Sequence, residues 1–254
     1  MFTRVKTSGE IETMRTSGGM LAAILQVIER EVQAGMSGKD VSEIAKRELK
    51  GLGGTHSFLG YQGYPDVICV SVNDVVVHGI PNDTPFQDGD LVSFDYGVTY
   101  QGMITDSALS MFVGGPPSKD AERLLKTTEQ AMYAGIDVLK DGVRVGDIAA
   151  AVERVLERQQ LGIIRELVGH GVGHELHEDP NIPNYGTAGT GPKLSAGMTI
   201  AIEPMATLGA HDISIDDDGW TIRTRDGSLA AHFEHTILIT NHGADILTLI
   251  DRAV

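Results

Sequence analysis

The chain has one cysteine, Cys69. No intrachain disulfide can form, a structural zinc site built on thiolates is excluded, and a reducing compartment is expected. Basic residues are scarce beside acidic ones, 20 Lys and Arg against 35 Asp and Glu, for a net charge of −15. That balance argues against DNA, RNA or an anionic membrane as a partner, because each is met with basic surface. Long apolar runs are missing too: the longest, Met20 to Ile28, is too short and too interrupted to span a bilayer. The opening MFTRVKTSGEIETMR lacks the apolar stretch and small-residue cleavage site of a signal peptide. Low-complexity tracts are absent as well. Together these absences lead to the expectation of a soluble, cytoplasmic protein; separately from them, a monomer is expected.

What is present suits one large domain. The 254 residues, 41% of them hydrophobic, are enough for a single unit over 1–254 with a sizeable core. Thr7-Ser-Gly-Glu10 reads as a capping box, followed at helical spacing by Ile11, Met14, Leu21, Ile24 and Ile28. Ser37-Gly-Lys-Asp40 caps a second helix with Val41, Ile44, Ala45 and Leu49 on one face. β-branched runs at 67–72, 90–96 and 104–113 predict strands. Two further helices are predicted over 118–140, capped by Ser118, and over 145–161, followed by Gly162. Strands return at 198–203, 220–224 and 233–240, with Asp218-Gly219 as a hairpin signal before the middle one.

The order helix, helix, strands thus occurs twice, and short matches accompany it. Gly35-Met-Ser-Gly-Lys-Asp40-Val41 matches Gly142-Val-Arg-Val-Gly-Asp147-Ile148 at an offset of 107, and Gly89-Asp-Leu-Val-Ser-Phe-Asp95 matches Gly197-Met-Thr-Ile-Ala-Ile-Glu203 at 108. The expected fold class is α+β: two half-domains, about 8–115 and 116–250, related by a pseudo-twofold around a strongly curved antiparallel sheet, with the helix pairs on one face. Asp95 and Glu203 then hold equivalent positions.

Five residues stand in strand-like motifs: Asp95 in LVSFDYG, Asp106 in ITDSALSM, His170 in GHGVGHELH, Glu203 in TIAIEP and Glu234 in HFEHTIL. Singly, each has an ordinary explanation. An Asp beside Gly is usually a turn or edge residue, and a histidine between glycines is usually structural. Together, four carboxylates on one sheet need a counter-charge, and a Glu in an apolar run is rarely buried unpaired. The set reads as a site for two divalent cations and the protein as a hydrolase. Oxygen ligands with one imidazole suit Mn²⁺, Fe²⁺, Co²⁺ or Zn²⁺, with carboxylates bridging ions roughly 3.5–4 Å apart. Gly97 and Gly102 lie between Asp95 and Asp106, so a hairpin would bring both carboxylates to one face.

From about residue 8 to the C-terminus the chain resembles the type I methionine aminopeptidases. The segments that carry the resemblance are GYPDVICVSVNDVVVHGIP (63–81), VGHGVGHELHEDP (168–180), MTIAIEPM (198–205), DGWTIRTRDGSLAAHFEHTI (218–237) and ILTL (246–249). The resemblance implies the pita-bread fold and removal of an initiator methionine from nascent polypeptides, with a small second residue preferred. It implies that Asp95 binds one ion, that Asp106 and Glu234 bridge both, and that His170 with Glu203 completes the second. A water between the ions would be the nucleophile and Glu203 its proton acceptor. His78 and His177 match the family's two non-ligand histidines, which contact substrate and stabilise the transition state. The methionine pocket maps onto Tyr61, Tyr64, Cys69 and Trp220, with Phe58 and Leu176 beside them; soft and aromatic walls suit a thioether. Two positions depart from the usual pattern. Leu176 stands where many members have Phe, and Phe58 where a small residue or Cys is common. A transient association with the ribosome would fit the substrate.

The rival enzyme reading is a proline-specific peptidase of the same fold, which usually carries an amino-terminal domain for which 254 residues leave no space. A non-catalytic peptide-binding relative would typically have lost ligands, and all five are present here.

Overall fold

In the computed structural model, which describes residues 4–249, the three caps expected at Thr7, Ser37 and Ser118 form. The outermost ends of the domain assigned over 1–254, and residue 250 of the second repeat, lie outside the described residues. Helix α1 (Ser8–Glu31) opens on a complete Thr7/Glu10 capping box and α2 (Gly38–Lys50) on a Ser37/Asp40 box. Such a cap contributes about 1 kcal/mol by satisfying N–H groups that the helix cannot. Strands β1 (Thr55–His56), β2 (Cys69–Val72), β3 (Val75–Val77), β4 (Leu91–Tyr100) and β5 (Met103–Phe112) follow. A second helix pair, α3 (Lys119–Asp137) and α4 (Val145–Arg158), precedes β6 (Gly162–Ile163), β7 (Gly169–Gly171), β8 (Glu178–Ile182), β9 (Thr199–Ile202), β10 (Met205–Thr207), β11 (Ile213–Ile215), β12 (Ile222–Thr224), β13 (Ala230–His232), β14 (His235–Ile239) and β15 (Ala244–Ile246).

Both later helices end sooner than the sequence predicts. Ser118 caps α3 as expected, but that helix stops at Asp137. Helix α4 stops at Arg158, and the chain turns through Gln160 at a φ of 55°. Gly162 is therefore not a helix stop. It lies in β6, where a Cβ would fall 2.2 Å from Thr207 Oγ1, so the sheet contact demands glycine.

The curved antiparallel sheet is divided into four ladders. One joins β1, β4 and β2 with β5 on β4; the second runs β15-β14-β9-β7-β8; two three-stranded ladders are β13-β10-β6 and β11-β12-β3. The first two are stitched together where Ala108 and Glu234 exchange backbone hydrogen bonds of 3.2 and 2.9 Å. One ladder break falls at Glu203: Pro204 has no N–H to carry β9 further, so that strand ends at Ile202. One apolar core lies under α1 and α2, around Leu21, Ile24, Ile28, Val41, Phe94 and Tyr96; another lies under α3 and α4, around Leu124, Met132, Ile148, Ile200 and Ile237. Each fully buried side chain of this size contributes about 1.5–3 kcal/mol of transfer free energy. With helices covering these faces, the site residues collect on the other side of the strands.

Candidate metal centre

Strand register alone brings the acidic residues into a row. The β4/β5 hairpin turns at Gln101-Gly102, both with positive φ, as a two-residue turn of this twist requires. This fixes Asp95 opposite Ala108, and the pairing of β2 with β4 sets Cys69 opposite Asp95. Ala108 in turn faces Glu234. On the far side His235 pairs with Ile202, so the same register run one step further sets Glu203 across from Glu234. Directly opposed residues share a face, and so do residues two apart on one strand. Asp106, two before Ala108, therefore joins the row. So does His232, two before Glu234.

His170 enters from β7 between two glycines. A Cβ at Gly169 would lie 2.4 Å from Ala201 O, so this strand approaches β9 closely only because the side chain is absent. The His170 ring donates from Nδ1 to Gly171 O at 2.9 Å. That bond places the proton on Nδ1 and leaves Nε2 as a lone-pair donor, 3.3 Å from Glu203 Oε1. The backbone beneath is fixed as well: Asp106 N–H donates to Thr236 Oγ1 at 2.9 Å, and Ser107 Oγ donates to Glu234 O at 2.6 Å.

The residues fit a cation. Asp95 Oδ1, Asp106 Oδ1, Glu234 Oε1 and His232 Nε2 are buried with no hydrogen-bond partner. Leaving such atoms unpaired is costly unless a ligand satisfies them. Burial pushes the Asp95 carboxyl up to about 7 and that of Glu203 up to about 8. Asp106 and Glu234 are driven well above the carboxylate range by burial and then by their acidic neighbours. Four carboxyls whose charge is disfavoured in this way would ionise readily around divalent cations. Asp106, His170 and Glu234 bring ligand atoms within 4.8 Å of one another, and so do Glu203, His232 and Glu234. The sequence reading missed His232. Its signal is the alternation His232-Phe-Glu234, which points imidazole and carboxylate the same way on an extended chain.

The other site residues line two cavities that meet at this cluster. The first, about 150 Å³, is walled by Phe58, Tyr61, Gln62, Tyr64, Cys69, Leu176 and Trp220 and floored by the carboxylates. Every pocket residue expected from the sequence is brought there, and Gln62 is added. Tyr64 and Trp220 meet edge to face at 5.2 Å, and Tyr64 OH donates to Gly79 O at 3.0 Å and Ile68 O at 3.2 Å. Burial, then the Asp95 carboxylate, push the Cys69 thiol upward, so it is a neutral, soft wall. The second cavity, about 350 Å³, shares His78, Asp95, His170, His177 and Glu203 with the first and adds Val77, Leu167, Asn181, Met205 and His232.

His78 and His177 stand where the two cavities join. His78 follows β3 with a φ of +59°, a conformation that costs a residue bearing a Cβ roughly 1–3 kcal/mol. Gly79 helps to hold it there: a Cβ on that glycine would lie 2.3 Å from Val70 O. Burial, then His232 and His177, lower the His78 imidazole to about 4, so it is neutral near pH 7. His177 Nδ1 lies 2.8 Å from Tyr61 OH, and its ring meets that of His170 edge to face at 4.3 Å.

Comparison with known proteins agrees along nearly the whole chain. The model of metallopeptidase family M24 matches residues 12–241. Methionine aminopeptidase 1 of Bacillus subtilis (strain 168) is 43% identical over 245 residues, covering 96% of this chain and 98% of the relative. The crystal structure of methionine aminopeptidase from Thermotoga maritima superposes with a TM-score of 0.96 at 44% identity, over 98% of this chain and 100% of that one. Prolidase from Pyrococcus furiosus shares the fold alone, with a TM-score of 0.79 at 24% identity over 98% of this chain and 66% of that one.

Proposed function

Because the chain belongs to metallopeptidase family M24 and is similar at full length to methionine aminopeptidases, we propose that it hydrolyses the peptide bond after the N-terminal methionine of nascent proteins and peptides. The observation that carries this reading is the junction of a soft-walled cavity with the buried carboxylates, through the Cys69–Asp95 pair. A thioether side chain entering that cavity would bring its own backbone to the acidic row.

Asp95, Asp106, His170, Glu203 and Glu234 would hold two divalent ions, of Mn²⁺, Fe²⁺, Co²⁺ or Zn²⁺. Bound there, such ions supply Lewis acidity, lowering the pKa of water from ~15.7 to roughly 7 and polarising the scissile carbonyl. Glu203, which borders both cavities at the centre, accepts the proton of the attacking water and passes it to the departing amine. A proton donated by Tyr61 OH to His177 Nδ1 leaves Nε2–H of His177 free to hydrogen-bond the carbonyl oxygen as charge develops on it. His78 contacts the scissile amide nitrogen. The carboxylates attract the free α-amino group, which confines the reaction to chain ends. Both histidines border the passage between the cavities, so a bulky second residue would crowd them, and a small one is preferred.

The test is a titration of chelator-treated protein with each ion on Met-Ala-Ser, Met-Leu-Ser and an Xaa-Pro peptide. Activity should return with metal, on Met-Ala-Ser far above Met-Leu-Ser. Metal-dependent turnover of the Xaa-Pro peptide in preference to Met-Ala-Ser would replace this reading with a proline-specific one.

A further inference from the structure

The turn that joins β7 to β8, residues 172–177, carries two residues of the site: Leu176 in the wall of the first cavity and His177 at the passage. They are held differently. Leu176 is 3% exposed and packs with Phe58, Tyr64 and Cys69, so apolar contacts fix it. His177 is exposed. Its ring meets the Tyr61 hydroxyl at 2.8 Å and the His170 ring at 4.3 Å, and beyond these its place depends on the backbone that carries it.

That backbone is anchored by Glu178, the next residue. Glu178 Oε1 accepts from the N–H of His174 at 2.8 Å and from that of Glu175 at 3.2 Å, which closes the turn on itself. Glu178 Oε2 accepts from Lys6 Nζ at 3.0 Å, and both side chains are buried. Lys6 is fixed in turn: its N–H donates to Gly197 O at 2.7 Å. Its stem lies against Gly173, where a Cβ would fall 2.5 Å from Lys6 Cε. The start of α1 adds a second tie. Glu10 Oε1 lies 2.7 Å from His174 Nε2, while its other oxygen accepts from Thr7 N–H at 2.7 Å in the capping box. Both ties come from the N-terminal segment, 172 and 164 residues away in sequence.

Stability is weak ground for an ion pair in this place. Burying two charges is costly, and apolar side chains of the same volume often hold a fold as well. What a buried pair adds is a fixed geometry, here at the turn beneath His177. Lys6 lines neither cavity, so any effect it has on turnover must pass through that turn.

We propose that Lys6 and Glu178 are positioning residues for His177: the pair holds the 172–177 turn so that the His177 imidazole stands where charge develops on the scissile carbonyl oxygen. This rests on the reading of His177 as the donor to that oxygen. Placement matters at this point, because a displacement of about 1 Å in a catalytic group can cost roughly 100-fold in rate.

The experiment is a double-mutant cycle on protein loaded with Mn²⁺. Turnover of Met-Ala-Ser and metal per chain are measured for the wild type, Glu178→Gln, His177→Ala and the double variant. Glutamine keeps the volume but has one acceptor oxygen where the carboxylate has two, so it cannot serve both Lys6 and the turn. Glu178→Gln should lower kcat by about 10- to 100-fold at unchanged metal content. KM should change by less than about 3-fold, because Leu176 keeps its packing. With His177→Ala already present, the same change should lower kcat by less than about 2-fold, since the residue through which it acts is gone. A second readout needs no turnover. In nitrogen NMR of histidine-labelled, metal-free protein, Glu178→Gln should move the His177 Nδ1 signal as Tyr61→Phe moves it, by releasing the contact between the two side chains. Equal losses of kcat with and without His177 would overturn the proposal, and so would a Glu178→Gln variant with wild-type kcat and an unmoved His177 signal. If Glu178→Gln does not fold, Lys6→Met and its combination with His177→Ala decide by the same comparison. A His177→Ala variant that turns over like the wild type would instead refute the role of His177 itself, and the positioning of it with that role.

Discussion

Replacing Asp95 with asparagine should stabilise the metal-free protein while weakening its response to metal. The Asp95 carboxyl is buried and pushed from 3.8 to about 7. Between those values the folded state retains a proton that the unfolded chain has released, so stability falls as pH rises through that window. The full displacement corresponds to about 4 kcal/mol above pH 7. Asparagine has the same shape without the charge, and its amide oxygen can accept the hydrogen bond that the protonated Asp106 carboxyl gives to Asp95. In chelator at pH 8 the variant should therefore exceed the wild type by about 2–4 kcal/mol, and the gap should close below about pH 4, where both side chains are neutral. Saturating metal should reverse the order. An ion at 1,000 times its Kd stabilises by about 4 kcal/mol, and the variant has lost a ligand. Urea denaturation followed by circular dichroism, at pH 4 and pH 8, with chelator or with Mn²⁺, measures all four cases. A variant less stable than the wild type at pH 8 in chelator would refute the claim that these carboxylates strain the empty fold.

Other perturbations separate ligand, pocket and scaffold. His170→Ala should lower metal affinity and turnover of Met-Ala-Ser by at least about 100-fold while the metal-free protein keeps its far-ultraviolet spectrum; wild-type turnover would remove His170 from the centre. Trp220→Ala opens the wall against Tyr64 and should raise KM for Met-Ala-Ser by about 10- to 100-fold at unchanged metal content, as read by steady-state kinetics and metal analysis. Lys6 and Glu178 form a 3.0 Å ion pair buried at both ends, close to His177 in sequence. Lys6→Met leaves that carboxylate without its cation and should destabilise the fold by about 3–5 kcal/mol in chemical denaturation, whereas a loss below about 1 kcal/mol would mean that the remaining contacts of Glu178 suffice.

Much of this architecture was legible because its signals are local. Thr7, Ser37 and Ser118 announce helices through side chains that cap within three residues, and all three caps form. The β4/β5 strands and their hairpin follow from β-branched runs around Gln101-Gly102. Helix ends were less legible. Gly162 looks like a helix stop in one dimension, but it is required by Thr207, a residue far along the chain. The division of the sheet into four ladders was hidden for a related reason: it depends on where each strand finds a partner with free backbone groups.

The sequence by itself determined which chemistry was available: an acidic set with one evident histidine, a single soft thiol, two further histidines in loops, and a run of motifs shared with one family. Tertiary structure alone decided that Cys69, Asp95, Ala108 and Glu234 stand in one row across three strand pairings and that Glu203 continues it. It also decided that His232, unremarkable in HFEHTIL, turns a buried, unpaired nitrogen toward that row. The reason is physical. Residue type and alternation are properties of a strand, whereas register, burial and the partner of a polar atom are set only when distant strands meet.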